Sequence, residues 1–390
     1  MSTIGIIAEF NPLHNGHKYL IDTAEKDDTV VCVISGNFVQ RGDVAVAEKR
    51  IRAKAALMCG ADLVAELPVP WSMSTAQNFA LGGVSALDAL GCDKIIFGSE
   101  AGENEKLIKT AEILNTEAFS EKLKAKLKSG VTFAAARQAA AEEIGAEAGI
   151  LEGANNNLAI EYITACKNLG LSMEFKTVKR IGAMHDCIDE DIFVSASLLR
   201  KKLQSKDYEF CKRHMPNGVL ELFAESHISD INRLEKAILA VLRSKSREEL
   251  STLPDLSEGV ENKLFNAIRV ANSLEELYNE IKVKRYTLAR VRRLVLNAFI
   301  GVDNSFFMKP LPYVRVLGFN KKGEELLKSR FSTATVPIIT KCSQIEELSS
   351  EAKKVFETEA KATDLFALST GKPMPCGIEY TSKLIREFQK

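Results

Sequence analysis

A chain of 390 residues, 46% hydrophobic and 27% charged, is too apolar to stay disordered and too long for one ordinary domain, so two or three are expected. Lys+Arg and Asp+Glu both total 52, which excludes a global field that draws the protein to nucleic acid. The charge is nevertheless polarised: from Ile281 to Arg330 twelve Lys/Arg stand against three Asp/Glu, leaving that segment at +9 and the remainder at −9.

The first residues lack a basic leader, and the apolar run from Ile4 is broken by Glu9, so a buried strand is expected there rather than a targeting signal. No apolar run is long enough to span a membrane, and a soluble, cytoplasmic protein is expected. Eight cysteines are scattered without a Cys-x-x-Cys pair, which predicts reduced, mostly buried thiols and no protein metal site.

Apolar, β-branched strands are predicted at 3–8, 29–35, 62–67 and 94–98, with helices near 15–26, 46–59 and 74–90 between them. Strands apolar on both faces imply a parallel sheet covered by helices on either side, with the ligand crevice at the strands' carboxyl ends. A helical insertion follows at about 103–170, then a strand at 173–179, a loop holding His185-Asp186 and a helix from near Ser197. Residues 1–205 are therefore read as a doubly wound, Rossmann-like α/β domain. Residues 206–308 read as a helical region. Residues 309–390, with short strands at 313–318 and 335–340, read as a small α+β part.

After the first strand the chain runs Phe10-Asn11-Pro12-Leu13-His14-Asn15-Gly16-His17. Pro12 fixes φ just before a helix, Gly16 permits close approach, and His14 and His17 share one side of the opening turn. Free N–H groups at a helix start favour phosphate, and two imidazoles there can donate to charge growing on an α-phosphate and a departing pyrophosphate. A second constellation, Val194-Ser195-Ala196-Ser197-Leu198-Leu199-Arg200, offers Ser195 or Ser197 as a helix cap and small hydroxyls with a guanidinium for β- and γ-phosphates.

The first segment resembles the Gly-x-Phe-Asp-Pro-x-His-x-Gly-His signature of the nucleotidyltransferase superfamily, with Ala8 in place of the Gly and Asn11 in place of the Asp; the second resembles that superfamily's Ser/Thr-rich stretch ending in Arg. Four more stretches resemble the tRNA(Met) cytidine acetate ligase family. They are Ser35-Gly36-Asn37-Phe38-Val39-Gln40-Arg41-Gly42, Phe97-Gly98-Ser99-Glu100, Asn155-Asn156-Asn157-Leu158-Ala159-Ile160-Glu161-Tyr162, and Lys284-Arg285-Tyr286-Thr287-Leu288-Ala289-Arg290-Val291-Arg292-Arg293. Ala154 stands where the family pattern has proline.

The resemblance implies an ATP-dependent, AMP-forming ligase that makes acetyl-adenylate and transfers the acetyl group to N4 of the wobble cytidine of elongator tRNA(Met). His14, His17, Ser195, Ser197 and Arg200 would be catalytic. ATP contacts would run from Ile7, Ala8 and Glu9 through Phe10, Asn11, Pro12, Leu13, His14, Asn15, Gly16 and His17 to Lys18, Tyr19 and Leu20. Gly102, Asn155 or Asn156, and Arg180 would join them. Mg²⁺ would accompany the triphosphate, without a nameable ligand set, and no protein partner is evident. Lys284, Arg285, Arg290, Arg292 and Arg293, within the basic segment, are the expected tRNA contacts. Tyr286 could stack on an unpaired base or pack in the core, and Arg41 could meet a phosphate or brace the scaffold. The alternative is an adenylyltransferase for a phosphorylated small metabolite.

Overall fold

The computed structural model describes residues 2–180, 194–256, 259–283 and 286–387. Its strands, in chain order, are β1 (Thr3–Ala8), β2 (Thr29–Ser35), β3 (Phe38–Val39), β4 (Asp43–Val44), β5 (Leu63–Leu67), β6 (Lys94–Ser99), β7 (Glu174–Lys179), β8 (Val314–Phe319), β9 (Ile338–Ile339) and β10 (Ile385–Arg386). Eight of them make one sheet of order β10-β8-β5-β2-β1-β6-β7, with β9 beside β8; β3 and β4 form a separate antiparallel hairpin.

Strands β5, β2, β1, β6 and β7 are mutually parallel. The apolar runs explain why. In β2 alternate residues face opposite cores: Val31 and Val33 pack with Ala65, Leu87 and Val316, while Val30, Cys32 and Ile34 pack with Ile6, Leu57 and Phe223. Each such residue fully buried contributes about 1.5–3 kcal/mol, so the central strands hold the layers together. The strand order reverses between β1 and β6, the point at whose carboxyl end doubly wound sheets bind their ligands.

The C-terminal strands depart from the expectation of a part of their own. β8 pairs antiparallel with β5, β10 pairs with β8, and residues 306–360 share the core of β2 and β5. The sheet is therefore mixed at this end, and the expected boundary near 308 does not divide it. The 103–170 segment forms helices Asn104–Leu114, Glu117–Lys128, Phe133–Glu142 and Ala154–Asn168, which connect β6 to its parallel neighbour β7. Helices from residue 235 to residue 300 build another core, into which Phe38 and Val44 of the hairpin and Phe366 of helix Ser350–Phe366 project.

The first helix spans Asn15–Ile21, shorter than the predicted 15–26. The Thr23 hydroxyl donates to the Leu20 carbonyl at 2.7 Å, competing with the helical ladder. Trp71 is fully buried and donates Nε1–H to the Lys309 carbonyl at 2.7 Å, so it belongs to the core. Five described cysteines are buried, Cys342 is half-buried, Cys376 is exposed, and all seven are free thiols. Among the described residues no helix is long and apolar enough to cross a membrane.

Candidate active site

His14 caps helix Asn15–Ile21. Its Nδ1 accepts the Gly16 N–H at 3.0 Å, and His17 Nδ1 accepts the His14 N–H at 3.4 Å, a reciprocal capping box made of imidazoles. The two rings stack at 3.9 Å between centroids, and Phe10 meets His17 edge-on at 5.1 Å. Phe10 adopts φ +46°, unusual for a residue with a side chain. The Asn11–Pro12 peptide is cis.

Burial pushes His14 down to about 4, helped by the charge of Arg180 and by neighbouring His214. Burial, followed by His14 and Arg180, also holds His17 well below the usual histidine range. Both rings are therefore neutral near pH 7. Since each Nδ1 accepts, each proton is assigned to Nε2, which leaves two N–H donors without added net charge.

Asn11 is buried, and its Oδ1 accepts the Val46 N–H at 2.8 Å. Its carbonyl accepts from Arg200 Nη1 at 2.7 Å, which brings the second constellation onto the first across 189 residues of chain. Ser195 caps helix Ala196–Gln204, accepting the Leu198 N–H at 3.3 Å, and its hydroxyl lies 3.0 Å from that of Ser197. Both serines are exposed.

Arg180, at the end of β7, donates to Asn155 Oδ1 at 3.3 Å. Asn155 Nδ2 donates to Glu100 Oε1 at 2.6 Å, and Glu100 Oε2 accepts the Asn156 N–H at 2.8 Å. Burial would raise the Glu100 carboxyl, but these bonds outweigh it and hold it below its ordinary value. Glu100 thus caps helix Ala154–Asn168 from outside; the residue at the cap, Gly153, has no side chain to offer. Asn156 is buried and accepts the Ala101 N–H at 3.0 Å, so of the two candidates Asn155 is the one placed beside Arg180. Gly102 has φ +70°, and a Cβ there would lie 2.7 Å from Lys179 Cβ, so the turn that leaves β6 and packs against the end of β7 requires glycine.

Other expected ATP residues divide by burial. The side chains of Ile7, Phe10 and Leu13 face the core, so only their backbone can meet a ligand. Ala8, Glu9, Asn15, Gly16 and Leu20 are half-buried, Lys18 pairs with Asp22, and Tyr19 is exposed. Asn15 Nδ2 donates to the Arg213 carbonyl at 3.1 Å, which brings helix Tyr208–His214 and its buried His214 to the motif; nothing in the sequence marks that approach.

The expected tRNA residues are not a uniform free surface. Lys284 and Arg285 lie outside the described residues, as does His185-Asp186. Arg290 donates to the Asp255 carbonyl at 2.7 Å, and Arg293 meets Asp255 Oδ2 at 3.3 Å and donates to the Gln40 carbonyl at 3.2 Å. Burial lowers Arg293, with Asp255 opposing. These two arginines are engaged with protein groups that brace the fold, whereas the sequence reading expects them to meet phosphates. Arg292 is half-buried, its guanidinium 5.6 Å from the Tyr278 ring centroid, and Tyr286 is packed in the helical core.

A family model described as HIGH Nucleotidyl Transferase matches residues 1–376. A tRNA(Met) cytidine acetate ligase of Thermoanaerobacter sp. (strain X514) is 38% identical, covering 99% of this chain and all of that protein. The chain belongs to the tRNA(Met) cytidine acetate ligase family of HIGH nucleotidyl transferases. A relative of the same name from Clostridium acetobutylicum is 37% identical over 87% of this chain and 90% of its own. The crystal structure of Thermotoga maritima TmcAL bound with alpha-thio ATP superposes with a TM-score of 0.90 at 28% identity, each chain covered completely. Its apo form gives 0.91 at 29%.

Sequence reasoning misses two buried cations of this family member. Arg52 is fully buried and donates to the carbonyls of Ala47 (3.0 Å), Glu9 (2.7 Å), Ser35 (2.9 Å) and Gly36, tying together the ends of β1 and β2. Lys49 is fully buried among Glu66, Glu359 (2.9 Å) and Glu379, with Arg315 bound to Glu379 as well. In sequence both sit in a charged run, Glu48 to Arg52, that reads as a solvated helix face; only the apolar stretch Val44–Ala47 ahead of it hints at burial.

Proposed function

We propose that this enzyme activates acetate with ATP and passes the acetyl group to N4 of the wobble cytidine of elongator tRNA(Met), giving N4-acetylcytidine. The observation that carries the reading is the pair of neutral, stacked imidazoles at the β1/β6 crevice, to which Arg180 and Arg200 are drawn from distant segments. Full-length relatives bearing the ligase name, and the bound ATP analogue in the Thermotoga protein, support it.

In the first half-reaction an acetate oxygen attacks the α-phosphorus and pyrophosphate leaves. The Nε2–H groups of His14 and His17 donate to phosphate oxygens as charge grows there. Ser195 and Ser197, at a helix N-terminus, together with Arg200 take up the departing pyrophosphate. Asn155, Arg180 and the backbone around Gly102 flank the nucleotide. Then the cytidine amine attacks the acetyl carbon and AMP leaves; a base in a single-stranded anticodon loop costs only a few kcal/mol to extrude.

Mg²⁺ enters as part of the ATP substrate. Glu66, Glu359 and Glu379 are the three carboxylates that gather closely among the described residues, and the Lys49 ammonium already lies among them, so that cluster does not suit a metal ion. Arg292 on helix Leu288–Ile300 is the cation best placed to meet tRNA beside the crevice, and a tRNA substrate sets the work in the cytoplasm.

The test is to supply ATP, labelled acetate and total tRNA. Label should appear in elongator tRNA(Met) alone and only with ATP, and ATP–pyrophosphate exchange should require acetate but not tRNA. Exchange indifferent to acetate, or AMP joined to a phosphorylated metabolite, would overturn the proposal.

A further inference from the structure

Two carboxylates, Glu9 and Asp43, stand among the cations of a crevice suited to phosphate, where each would repel the polyanions it admits. Glu9 has a visible occupation: its Oε1 accepts the Gln40 N–H at 2.9 Å, and the guanidinium groups acting on it, those of Arg200, Arg41 and Arg52, surround the nucleotide end of the crevice.

Asp43 differs. It opens β4 directly after the turn of the β3–β4 hairpin, and Oδ1 accepts its neighbour Val44 N–H at 2.8 Å, which fixes the side-chain torsion. Among the described residues Oδ2 takes part in no hydrogen bond or ion pair. The half-buried carboxylate lies in the field of Arg200 from the nucleotide side and of Arg292 from helix Leu288–Ile300, with Asp230 opposing and Tyr278 also within its field. The hairpin carrying it is braced: Arg293 holds the Gln40 carbonyl, and Gly42, at φ +71°, packs so closely that a Cβ would lie 2.6 Å from Arg292 Cβ. A fixed carboxylate with one open oxygen thus sits where the nucleotide crevice meets the basic helix.

We propose that Asp43 accepts a hydrogen bond from the exocyclic amine of the substrate cytidine and takes its proton during acetyl transfer. This rests on the reaction proposed above. A carboxylate accepting from N4–H is the pairing that separates cytosine from uracil, whose O4 presents lone pairs instead. As the N4–acetyl bond forms, the bond from the acetyl carbon to the adenylate oxygen breaks, and its electron pair leaves on the phosphate of AMP. The N4 proton passes to Asp43 Oδ2 and from there to solvent. Burial raises the proton affinity of this carboxyl, which suits the task, whereas His14 and His17 bind protons too weakly to compete.

The experiment compares wild type with Asp43→Asn and Asp43→Ala in acetate-dependent ATP–pyrophosphate exchange, single-turnover transfer from bound acetyl-adenylate, and thermal unfolding. Transfer should fall by about 10²-fold or more relative to exchange in the same preparation. In Asp43→Asn, whose amide can donate to O4, the preference for a cytidine over a uridine wobble base in competing anticodon stem–loops should narrow by about tenfold. Undiminished transfer, transfer and exchange falling in equal ratio, or an unaltered base preference would each overturn the assignment. Wild-type protein without acetate-dependent exchange would overturn the activation reading itself, a result distinct from a defect confined to position 43.

Discussion

Each imidazole of the His14–His17 pair spends Nδ1 on a backbone N–H and keeps one N–H to give. Replacing His17 with Ala should therefore lower acetate-dependent exchange by about 10²–10³, the usual effect of removing one donor at a transition state. Circular dichroism should show the protein still folded; near-normal exchange would sink the assignment. The pH dependence has a definite sign. Because burial lowers His14 to about 4, its neutral form persists well below the ordinary histidine range, so kcat/KM for ATP in the exchange reaction should show no histidine limb near pH 6.5. A limb there would mean that the rings are charged in the free enzyme. The His pair is legible in the sequence because strand, proline, glycine and histidine spacing all fall within fifteen residues. Arg52 and Glu100 are not, because they bind backbone groups of segments 43 and 55 positions away, and no residue-type pattern records a distant carbonyl or N–H.

At the scale of elements, the helix Leu288–Ile300 does two things with adjacent arginines. Arg293 is spent on Asp255 and Gln40, whereas Arg292 extends over Tyr278 toward Asp43. Arg293→Ala should destabilise the protein by about 2–3 kcal/mol, since it leaves the half-buried Asp255 with a weaker partner and frees the hairpin. Arg292→Gln should leave the melting temperature within about 2 °C and flatten the log–log salt dependence of tRNA binding by roughly one unit. Calorimetry and filter binding across a salt series check both, and equal behaviour of the two variants would contradict the division. The basic stretch itself is plain in the sequence. What spacing alone does not say is which cations have partners, because Asp255 and Gln40 reach them from other parts of the chain.

The whole molecule is joined by its last residues. β8 is readable as a strand from its apolar run, but its place against β5 is not, since strand partners are chosen by packing across 250 residues and not by local pattern. The Lys49 cluster lies behind the same junction. Burial alone would strip the lysine of its proton, but Glu359, Glu379 and Glu66 outweigh that and keep it charged. Burial pushes Glu359 up to about 8, with the neighbouring Glu66 and Glu379 carboxylates adding to the shift against Lys49, so at neutral pH it holds a proton. The sign follows: a raised acid binds protons in the folded state first, so stability declines from the ordinary glutamate range up through about pH 8, by about 1.4 kcal/mol per unit. Glu359→Gln, an analogue of the protonated acid, should remove that slope in urea titrations from pH 5 to 8. Glu379→Gln should instead cost about 3–5 kcal/mol, because Lys49 and Arg315 lose an ionised partner in a buried site. Equal losses, or a slope surviving in Glu359→Gln, would refute this account.

That cluster also bears on how the protein is born. Gly36, at the start of the loop that carries Arg41 and Asp43, packs directly against the Glu359 carboxylate, and Lys49 N–H holds the Asn37 side chain. A nascent chain leaving the ribosome makes its ATP motif first, yet two of the three anions that neutralise Lys49 emerge more than three hundred residues later. Until then the ammonium is better hydrated than buried, and the loop beside the crevice lacks its anchor. Pulse proteolysis of stalled chains should find the 36–49 segment cleavable at a nascent length of 350 and protected once residue 379 has cleared the exit tunnel, so the catalytic crevice is completed only after residues 359 and 379 are free to pack.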